Sequence, residues 1–212
     1  MIYYFSVNNE EKPSWLSYLE STLPDHTLTE SELFIAYNDR INYLLGRKIV
    51  EQGLIELETG YNLHDIVISP FGKPILPNGL EFSISHSEHL VVGAFSTGQP
   101  IGIDTQFHKN IDWKEYIDFL NEEDLKAIYK ASDQLVKFYD IWTKKESVVK
   151  LDGRGFQLSL KDIFLKPDKA FDAKSVRSWE IRKIHLQEKY STAICAQDLQ
   201  DKIEVKCLNH LK

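Results

Sequence analysis

A strand pattern that occurs twice constrains the fold more than any other feature of this sequence. Residues 90–95 (LVVGAF) and 101–104 (IGID) are strand-like runs, and the turn-forming stretch STGQP between them predicts a hairpin-like connection. A weaker version of the same arrangement follows at residues 185–205, where TAICA and KIEV are separated by a short polar turn. A helical pattern precedes each copy. The sequence therefore predicts an α+β protein built from two related halves.

Three segments carry helical signals. Residues 31–52 place apolar side chains at helical spacings, and Gly53 is predicted to end this helix. Asn121 followed by acidic residues predicts the start of a second helix, because Asn is a good N-cap and acids suit the first turn. A third helix is predicted from about residue 134 to residue 151, with its end at Gly153.

The two halves are predicted to pack directly against each other. The sequence contains no low-complexity segment and no Gly/Ser-rich linker that would hold them apart. Hydrophobic residues make up 42% of the 212 residues, which is ample material for a buried core. We expect a boundary near Ile101, with residues 1–100 in an N-terminal lobe and residues 101–212 in a C-terminal lobe.

Composition excludes several classes of protein. The formal net charge of −7 argues against a general nucleic-acid binder, which normally presents a basic face. No run approaches the roughly 18 apolar residues needed to span a bilayer, and the first residues read as a strand rather than a secretory signal. Cys195 and Cys207 have neither metal-ligand spacing nor a disulfide framework. We therefore predict a protein of the reducing cytoplasm that binds neither nucleic acid nor membrane.

Asp104 is the first candidate for chemistry. In a strand, Gly102 and Asp104 lie on one face, opposite Ile101 and Ile103. A glycine two residues before an acid leaves room for a bulky group beside the carboxylate. On this pattern alone, an Asp that ends a strand and starts a turn is the simpler explanation.

The segment WTKKESVVK supplies a second set of candidates. Trp142, Glu146 and Lys150 recur at every fourth position, so they share one face of a helix. A Trp beside a Glu–Lys pair, followed at once by Gly153 and Gly155, points to function. An ordinary surface ion pair explains the segment equally well.

Residues 82–87 (FSISHS) are the third candidate segment. The strand-like run ends with His86 between Ser85 and Ser87. All three side chains can donate hydrogen bonds to an oxyanion or phosphate. Upstream, Lys73 lies between two residues that restrict the backbone, Gly72 and Pro74. A structural histidine and a solvated turn lysine are the simpler explanations of these pieces taken singly.

In chain order, these pieces resemble the two-lobed 4′-phosphopantetheinyl transferases, the class that activates nonribosomal peptide and polyketide synthases. The matching order is Gly72-Lys73-Pro74, Ser85-His86-Ser87, Gly102-Ile103-Asp104, and Trp142 with Lys145, Glu146 and Lys150. The resemblance covers residues 40–156 well and the rest more loosely. It implies two α/β lobes related by pseudo-twofold symmetry, an active site in the cleft between them, and a monomer.

The resemblance also implies a magnesium site and a coenzyme A site. Asp104 and Glu146 are expected to bind Mg²⁺, which prefers hard oxygen ligands. Gln106 stands where the family usually has a second acid, so its amide oxygen or a water would complete the site. The residues expected at coenzyme A are Arg40, Gly72, Lys73, Pro74, Ser85, His86, Lys145 and Lys150. Arg40, with Arg47 on the same helical face, is expected to replace a basic residue that the family carries at Asn42; a solvated helix face is the alternative.

The implied reaction is an in-line attack by a serine hydroxyl of an acyl or peptidyl carrier protein on the β-phosphate of coenzyme A, which releases 3′,5′-ADP. Glu146, directly or through a bound water, is the expected general base, and Lys150 and His86 are expected to stabilise the phosphates. Two alternatives stay open. One is a catalytically impaired relative that binds coenzyme A or a carrier protein, suggested by Gln106 and Asn42. The other is a Mg²⁺-dependent phosphohydrolase.

Overall fold

Two sheets packed face to face, each covered by one long helix, make up the computed structural model, which describes residues 1–7, 14–199 and 202–208. The strands are β1 Ile2–Ser6, β2 Val67–Ile68, β3 Pro74–Ile75, β4 Leu80–Ser87, β5 Leu90–Thr97, β6 Ile101–Phe107, β7 Ile163–Leu165, β8 Lys169–Asp172, β9 Ser178–Ile184, β10 Tyr190–Ala196 and β11 Val205–Cys207. The α-helices are α1 Ser14–Thr22, α2 Asp25–Ser31, α3 Tyr37–Glu56, α4 Glu122–Lys130 and α5 Gln134–Asp152. Short 3₁₀ helices cover Leu63–Asp65, Pro77–Gly79, Trp113–Phe119, Gly155–Gln157 and Leu160–Asp162.

The two sheets repeat one connectivity. The first has the strand order β11-β1-β5-β4 and the second β6-β10-β9-β8-β7, while β2 and β3 form a separate pair. In the first sheet β1 leads through α3 into the hairpin β4–β5, and in the second β6 leads through α5 into the hairpin β9–β10. The last strand of each hairpin returns antiparallel beside the first strand of its half. This arrangement confirms the predicted α+β class.

Alternation along the strands divides the core into layers. On β5, Val91 and Phe95 face α3, whereas Leu90 and Val92 pack with Ile103 in the apolar layer between the sheets. All of these side chains are buried. The order of layers is therefore α3, first sheet, second sheet, α5. No helix within the described ranges is long and apolar enough to cross a membrane.

The connection at residues 96–100 differs from its prediction. It does not form a hairpin, because β5 already pairs with β1 on one side and β4 on the other, so no edge is left for β6. The segment instead carries the chain from the first sheet into the second. Because β6 begins at Ile101, we propose that the lobe boundary lies at residues 100/101. The strand β11 is an exception, since it returns to pair in parallel with β1.

The first predicted helix also differs from its prediction at both ends. Residues 25–31 form the separate helix α2, and α3 begins at Tyr37 and continues through Gly53 to Glu56. Gly53 does not end the helix, because its role is close packing: a Cβ there would lie 2.5 Å from the ring of Phe95. The other two helices are confirmed. Asn121 caps α4, and α5 ends at Gly153 in the left-handed conformation with φ 79°.

Gly102 sets the distance between α5 and the second sheet. A Cβ at this position would overlap the carbonyl oxygen of Ser147 and lie 2.6 Å from the amide nitrogen of Leu151. The bulky group for which this glycine makes room is therefore the backbone of α5 itself. The close approach brings the face of α5 that carries Glu146 and Lys150 against the end of β6 that carries Asp104.

Replacing Gly102 by Ala should lower the free energy of unfolding by about 3 kcal/mol, because backbone atoms of α5 cannot move aside as a flexible side chain would. Chemical denaturation measures this change. Gly46→Ala in α3 is the matched control: its Cβ would lie 3.4 Å from Ile84, an ordinary contact, so helix propensity should raise stability by up to about 1 kcal/mol. Equal effects of the two substitutions would contradict the close-packing role.

Candidate active site

Strands β4 and β6 lie side by side in different sheets, and serine side chains join them in place of a backbone ladder. The backbone amides of every second residue of β6 donate hydrogen bonds to the serine hydroxyls at every second residue of β4. The bonds run from Ile103 N to Ser83 Oγ (3.1 Å), from Thr105 N to Ser85 Oγ (3.2 Å) and from Phe107 N to Ser87 Oγ (2.9 Å). We call Ser83, Ser85 and Ser87 the serine seam. It holds one half of the molecule in register with the other.

Asp104 lies at the middle of this seam, and its carboxylate is held on both oxygens. The side chain is almost completely buried. Its Oδ1 accepts hydrogen bonds from Ser85 Oγ and Lys150 Nζ, each at 2.7 Å. Its Oδ2 accepts from Gln106 Nε2 at 3.2 Å. The structure therefore brings Asp104, Gln106 and Lys150 together, with Ser85 in contact.

Glu146 faces the same site from α5, one turn before Lys150. Burial raises the pKa of the Glu146 carboxyl above its ordinary value, and the negative charge of Asp104 raises it further against the opposing effect of Lys150. The site thus holds a second carboxylate, and its negative charge is disfavoured by burial and by Asp104. A divalent cation between the two carboxylates would offset this repulsion.

The donor set fits a magnesium ion. Mg²⁺ usually takes one or two carboxylates and completes its shell with neutral oxygens, and Asp104, Glu146 and the amide of Gln106 are groups of these kinds. In the described part of the chain, no three His, Cys, Asp or Glu side chains cluster as a metal site. Gln106 also donates to Asp104, which orients the carboxylate.

Lys150 and His86 connect the two halves around the site. Lys150 Nζ donates to the carbonyl oxygen of Ile84 on β4 at 3.3 Å, in addition to its ion pair with Asp104. Desolvation of the imidazole by the surrounding protein lowers the pKa of His86 below its ordinary value, and the positive charge of Lys150 lowers it further. The Nδ1 of His86 lies 3.5 Å from Asn42 Nδ2.

Gly72, Lys73 and Pro74 line a cavity of about 260 Å³ that Lys150 and Gly153 close from the other side. Lys73 Nζ donates to Glu81 Oε2 at 3.4 Å and to the carbonyl oxygen of Leu151 at 3.3 Å. The latter contact places a positive charge at the negative end of the α5 dipole. The cavity is thus bounded by residues of both halves and adjoins the carboxylate site through Lys150.

The structure does not place Lys145 in this site, contrary to the expected phosphate contact. Its side chain is buried, forms an ion pair with Asp124, and donates to the carbonyl oxygen of Leu160 at 2.9 Å. Consecutive residues of a helix point about 100° apart, so Lys145 faces α4 while Glu146 faces Asp104. Lys145 is a structural residue.

Arg40, which is expected at coenzyme A, contacts α1 and α2 in the structure. Arg40 pairs with Glu20 of α1 at 3.2 Å and donates to Ser31 Oγ at 3.3 Å. Arg47, on the same helix face, pairs with Glu30 at 3.7 Å. Asn42, which the sequence marks as a departure from the family, is buried and donates to the carbonyl oxygen of Glu88 at 3.3 Å. Both arginine charges are therefore already offset by carboxylates.

Trp142 and Ser85, two further candidates from the sequence, contact other side chains and backbone groups of the protein. The indole of Trp142 packs in an aromatic cluster with Tyr116, Phe119 and Phe138 rather than against the carboxylates. Ser85 was expected to contact the substrate, but its hydroxyl is occupied by Asp104 and by the amide of Thr105. Sequence reasoning missed the serine seam. Its signal is the alternation of serine at positions 83, 85 and 87, which puts all three hydroxyls on one side of a strand.

Comparison with known proteins shows which family this chain resembles. The family model of the 4′-phosphopantetheinyl transferase superfamily matches residues 100–196. A 4′-phosphopantetheinyl transferase of Bacillus subtilis is 34% identical over 157 residues, 68% of this chain and 69% of that protein. The gsp transferase of Aneurinibacillus migulanus is 26% identical over 165 residues, 76% of this chain and 69% of that protein. The Sfp transferase of Bacillus subtilis strain 168 is 35% identical over 134 residues, 60% of this chain and 58% of that protein.

Among solved structures, the holo-[acyl-carrier-protein] synthase of Thermotoga maritima matches with a TM-score of 0.37 and 14% identity, over 46% of this chain and 61% of that chain. The fold is a two-halved α+β arrangement. The chain belongs to the 4′-phosphopantetheinyl transferase family.

Removing Lys145 should destabilise the fold strongly. Lys145→Met leaves the buried carboxyl of Asp124 without its partner, and such a change costs about 3–5 kcal/mol. The double substitution Lys145→Met with Asp124→Asn should recover part of this loss, because it removes both charges and keeps a side-chain oxygen for the amide of Asn121. Chemical denaturation of both variants checks the prediction. A stable Lys145→Met protein would contradict the structural role.

The pKa of His86 should lie below 6.5, and Lys150→Met should raise it because a nearby positive charge is removed. A titration followed by the imidazole NMR signals measures both values. Lys144→Met is the control, since Lys144 lies on the same helix and its charge is coupled to Asp140 and Lys183 instead. A His86 pKa that does not change in Lys150→Met would show that the two groups are not neighbours in solution.

Proposed function

We propose that this protein transfers the 4′-phosphopantetheine group of coenzyme A to a serine hydroxyl of an acyl or peptidyl carrier protein, with Mg²⁺ as the metal. Membership of the transferase family supports the reaction. The observation that carries the proposal is the ion pair of Asp104 on β6 with Lys150 on α5, one turn after Glu146, beside a cavity shared by both halves. The charge of Asp104 also acts on the pKa of Glu146. We extend the proposal to a cytoplasmic monomer that binds neither nucleic acid nor membrane, which the net charge of −7 and the free thiols of Cys195 and Cys207 support.

Asp104 and Glu146 are the residues that would hold the magnesium ion, with Gln106 beside them. When bound, the ion supplies positive charge next to the pyrophosphate oxygens. Asp104 is well suited to this role, because Ser85, Lys150 and Gln106 already fix the direction of its carboxylate.

Glu146 is the proposed general base. The serine hydroxyl of the carrier attacks the β-phosphorus of coenzyme A, and its proton passes to the carboxylate of Glu146. A new bond joins the serine oxygen to the β-phosphorus, and the bond from that phosphorus to the oxygen bridging the α-phosphate breaks.

Lys150 and His86 are proposed to stabilise the phosphates. The departing 3′,5′-ADP keeps the bridging oxygen, and the ammonium group of Lys150 offsets the charge that develops there or donates a proton to it. The lowered pKa of His86 favours a neutral imidazole, which would act as an N–H donor rather than as a second positive charge. The enzyme contributes no nucleophile, so no covalent intermediate on this chain is required.

Gly72, Lys73 and Pro74 are proposed to hold the nucleotide end of coenzyme A. They line the 260 Å³ cavity from the first half, and Lys150 lines it from the second. A substrate bound there would be held by both halves at once. On this proposal, neither residues 1–100 nor residues 101–212 would transfer the group alone.

The first test is the intact mass of an apo acyl carrier protein after incubation with this protein, coenzyme A and Mg²⁺. We expect a gain of about 340 Da, the mass of one phosphopantetheine group, and its loss on chelation of the metal. Glu146→Gln should lower the rate at least about 100-fold, because general base catalysis contributes that much or more. Glu122→Gln, on an exposed carboxylate of α4, is the matched control.

The other outcomes distinguish the alternatives. Full activity of Glu146→Gln would contradict the assignment of the base. No mass gain on several carriers, with coenzyme A still bound in calorimetry, would identify an impaired relative. Release of 3′,5′-ADP without any carrier protein would identify a phosphohydrolase.

A further inference from the structure

The hydroxyl of Ser85 performs two tasks at one point of the molecule. Its oxygen accepts the amide of Thr105 at 3.2 Å, as part of the serine seam between β4 and β6. Its proton is donated to Asp104 Oδ1 at 2.7 Å. The side chain is 4% exposed. A single buried hydroxyl therefore links the contact between the two halves to the carboxylate proposed to hold magnesium.

The accepted hydrogen bond determines where the Ser85 proton points. A serine hydroxyl carries one proton and rotates to suit its partners. The oxygen of Ser85 accepts the amide proton of Thr105. The hydroxyl proton of Ser85 is therefore directed to Asp104, the residue directly before Thr105 on β6. Lys150 donates to the same carboxylate oxygen, and Gln106 donates to the other. Of these three side-chain donors to Asp104, Ser85 is the one that belongs to the first half.

The other two serines provide an internal comparison. Ser83 and Ser87 accept amides of β6 at 3.1 Å and 2.9 Å, so their contribution to the seam matches that of Ser85. Ser85 is the serine of the seam whose hydroxyl donates a hydrogen bond to Asp104. Removal of Ser83 or Ser85 should therefore have the same effect on the seam but different effects on the carboxylate.

We propose that Ser85 is a positioning residue of the magnesium site, which transmits the alignment of the two halves to Asp104. In this role its hydroxyl acts through Asp104. The proposal rests on the proposed function, because it requires Asp104 to be a metal ligand. Loss of a group that orients a metal ligand typically weakens metal affinity by about 10–100-fold.

The experiment is a calorimetric titration of Mg²⁺ into the full-length protein saturated with coenzyme A, without a carrier protein. We expect Ser85→Ala to weaken Mg²⁺ binding at least about tenfold and Ser83→Ala to change it less than about twofold. Both variants should show a similar fall in melting temperature, because each loses one hydrogen bond of the seam. The Mg²⁺ concentration for half-maximal transfer should follow the same order.

A second substitution covers the case in which Ser85→Ala fails to fold. Ser85→Cys keeps nearly the same volume but has a weak donor and a weak acceptor, so it should bind Mg²⁺ less tightly than the wild type. Equal Mg²⁺ affinity of the Ser83 and Ser85 variants would overturn the positioning role. Wild-type affinity in Ser85→Cys, where Ser85→Ala cannot be measured, would also overturn it.

Asp104→Asn separates this proposal from the function on which it rests. If Asp104→Asn loses Mg²⁺ binding while Ser85→Ala keeps it, the proposed metal site stands and the role of Ser85 is wrong. If Asp104→Asn binds Mg²⁺ as tightly as the wild type, the metal site itself is wrong, and the role of Ser85 with it. Loss of affinity in both variants, with Ser83→Ala unaffected, supports both proposals.

Discussion

The hydrogen bonds from the amides of β6 to the serine hydroxyls of β4 are the contact on which the site depends. A buried backbone amide needs a partner, and these strands belong to different sheets, so no ladder supplies one. The serine seam supplies it with side chains. As a result, the two halves meet along a polar line, and Asp104 is buried there with hydrogen bonds on both of its oxygens.

A second constraint acts where β6 packs against α5. Gly102 lets the backbone of α5 approach β6 so closely that a methyl group would not fit between them. That approach brings Glu146 to the side of Asp104 and lets Lys150 reach both Asp104 and the carbonyl oxygen of Ile84. The seam and the glycine together explain why a site made from two halves has a defined geometry.

Electrostatics sort the charged residues of α5 into two kinds. Glu146 and Lys150 face a carboxylate and a cavity. Burial and then the charge of Asp104 raise the pKa of Glu146, while burial and then the charge of Lys150 lower that of His86. Lys145 instead pairs with Asp124 inside the protein, where burial raises the pKa of that carboxyl against the opposing effect of Lys145. Adjacent positions on one helix thus point to different sides, Glu146 to the carboxylate site and Lys145 to the protein interior.

Local patterns in the sequence determined the features whose causes are local. Caps and periodicity predicted α4 and α5, strand alternation placed Gly102 and Asp104 on one face, and the order of motifs indicated the family. Tertiary structure alone decided the rest, because it depends on which atoms face each residue from distant segments. Phe95 opposite Gly53 made that glycine a packing residue rather than a helix stop, and the occupied edges of β5 turned a predicted hairpin into a crossing between sheets. The amides of β6 likewise made the serines beside His86 into a seam, since hydrogen bonds are satisfied by neighbours that only the folded chain brings together.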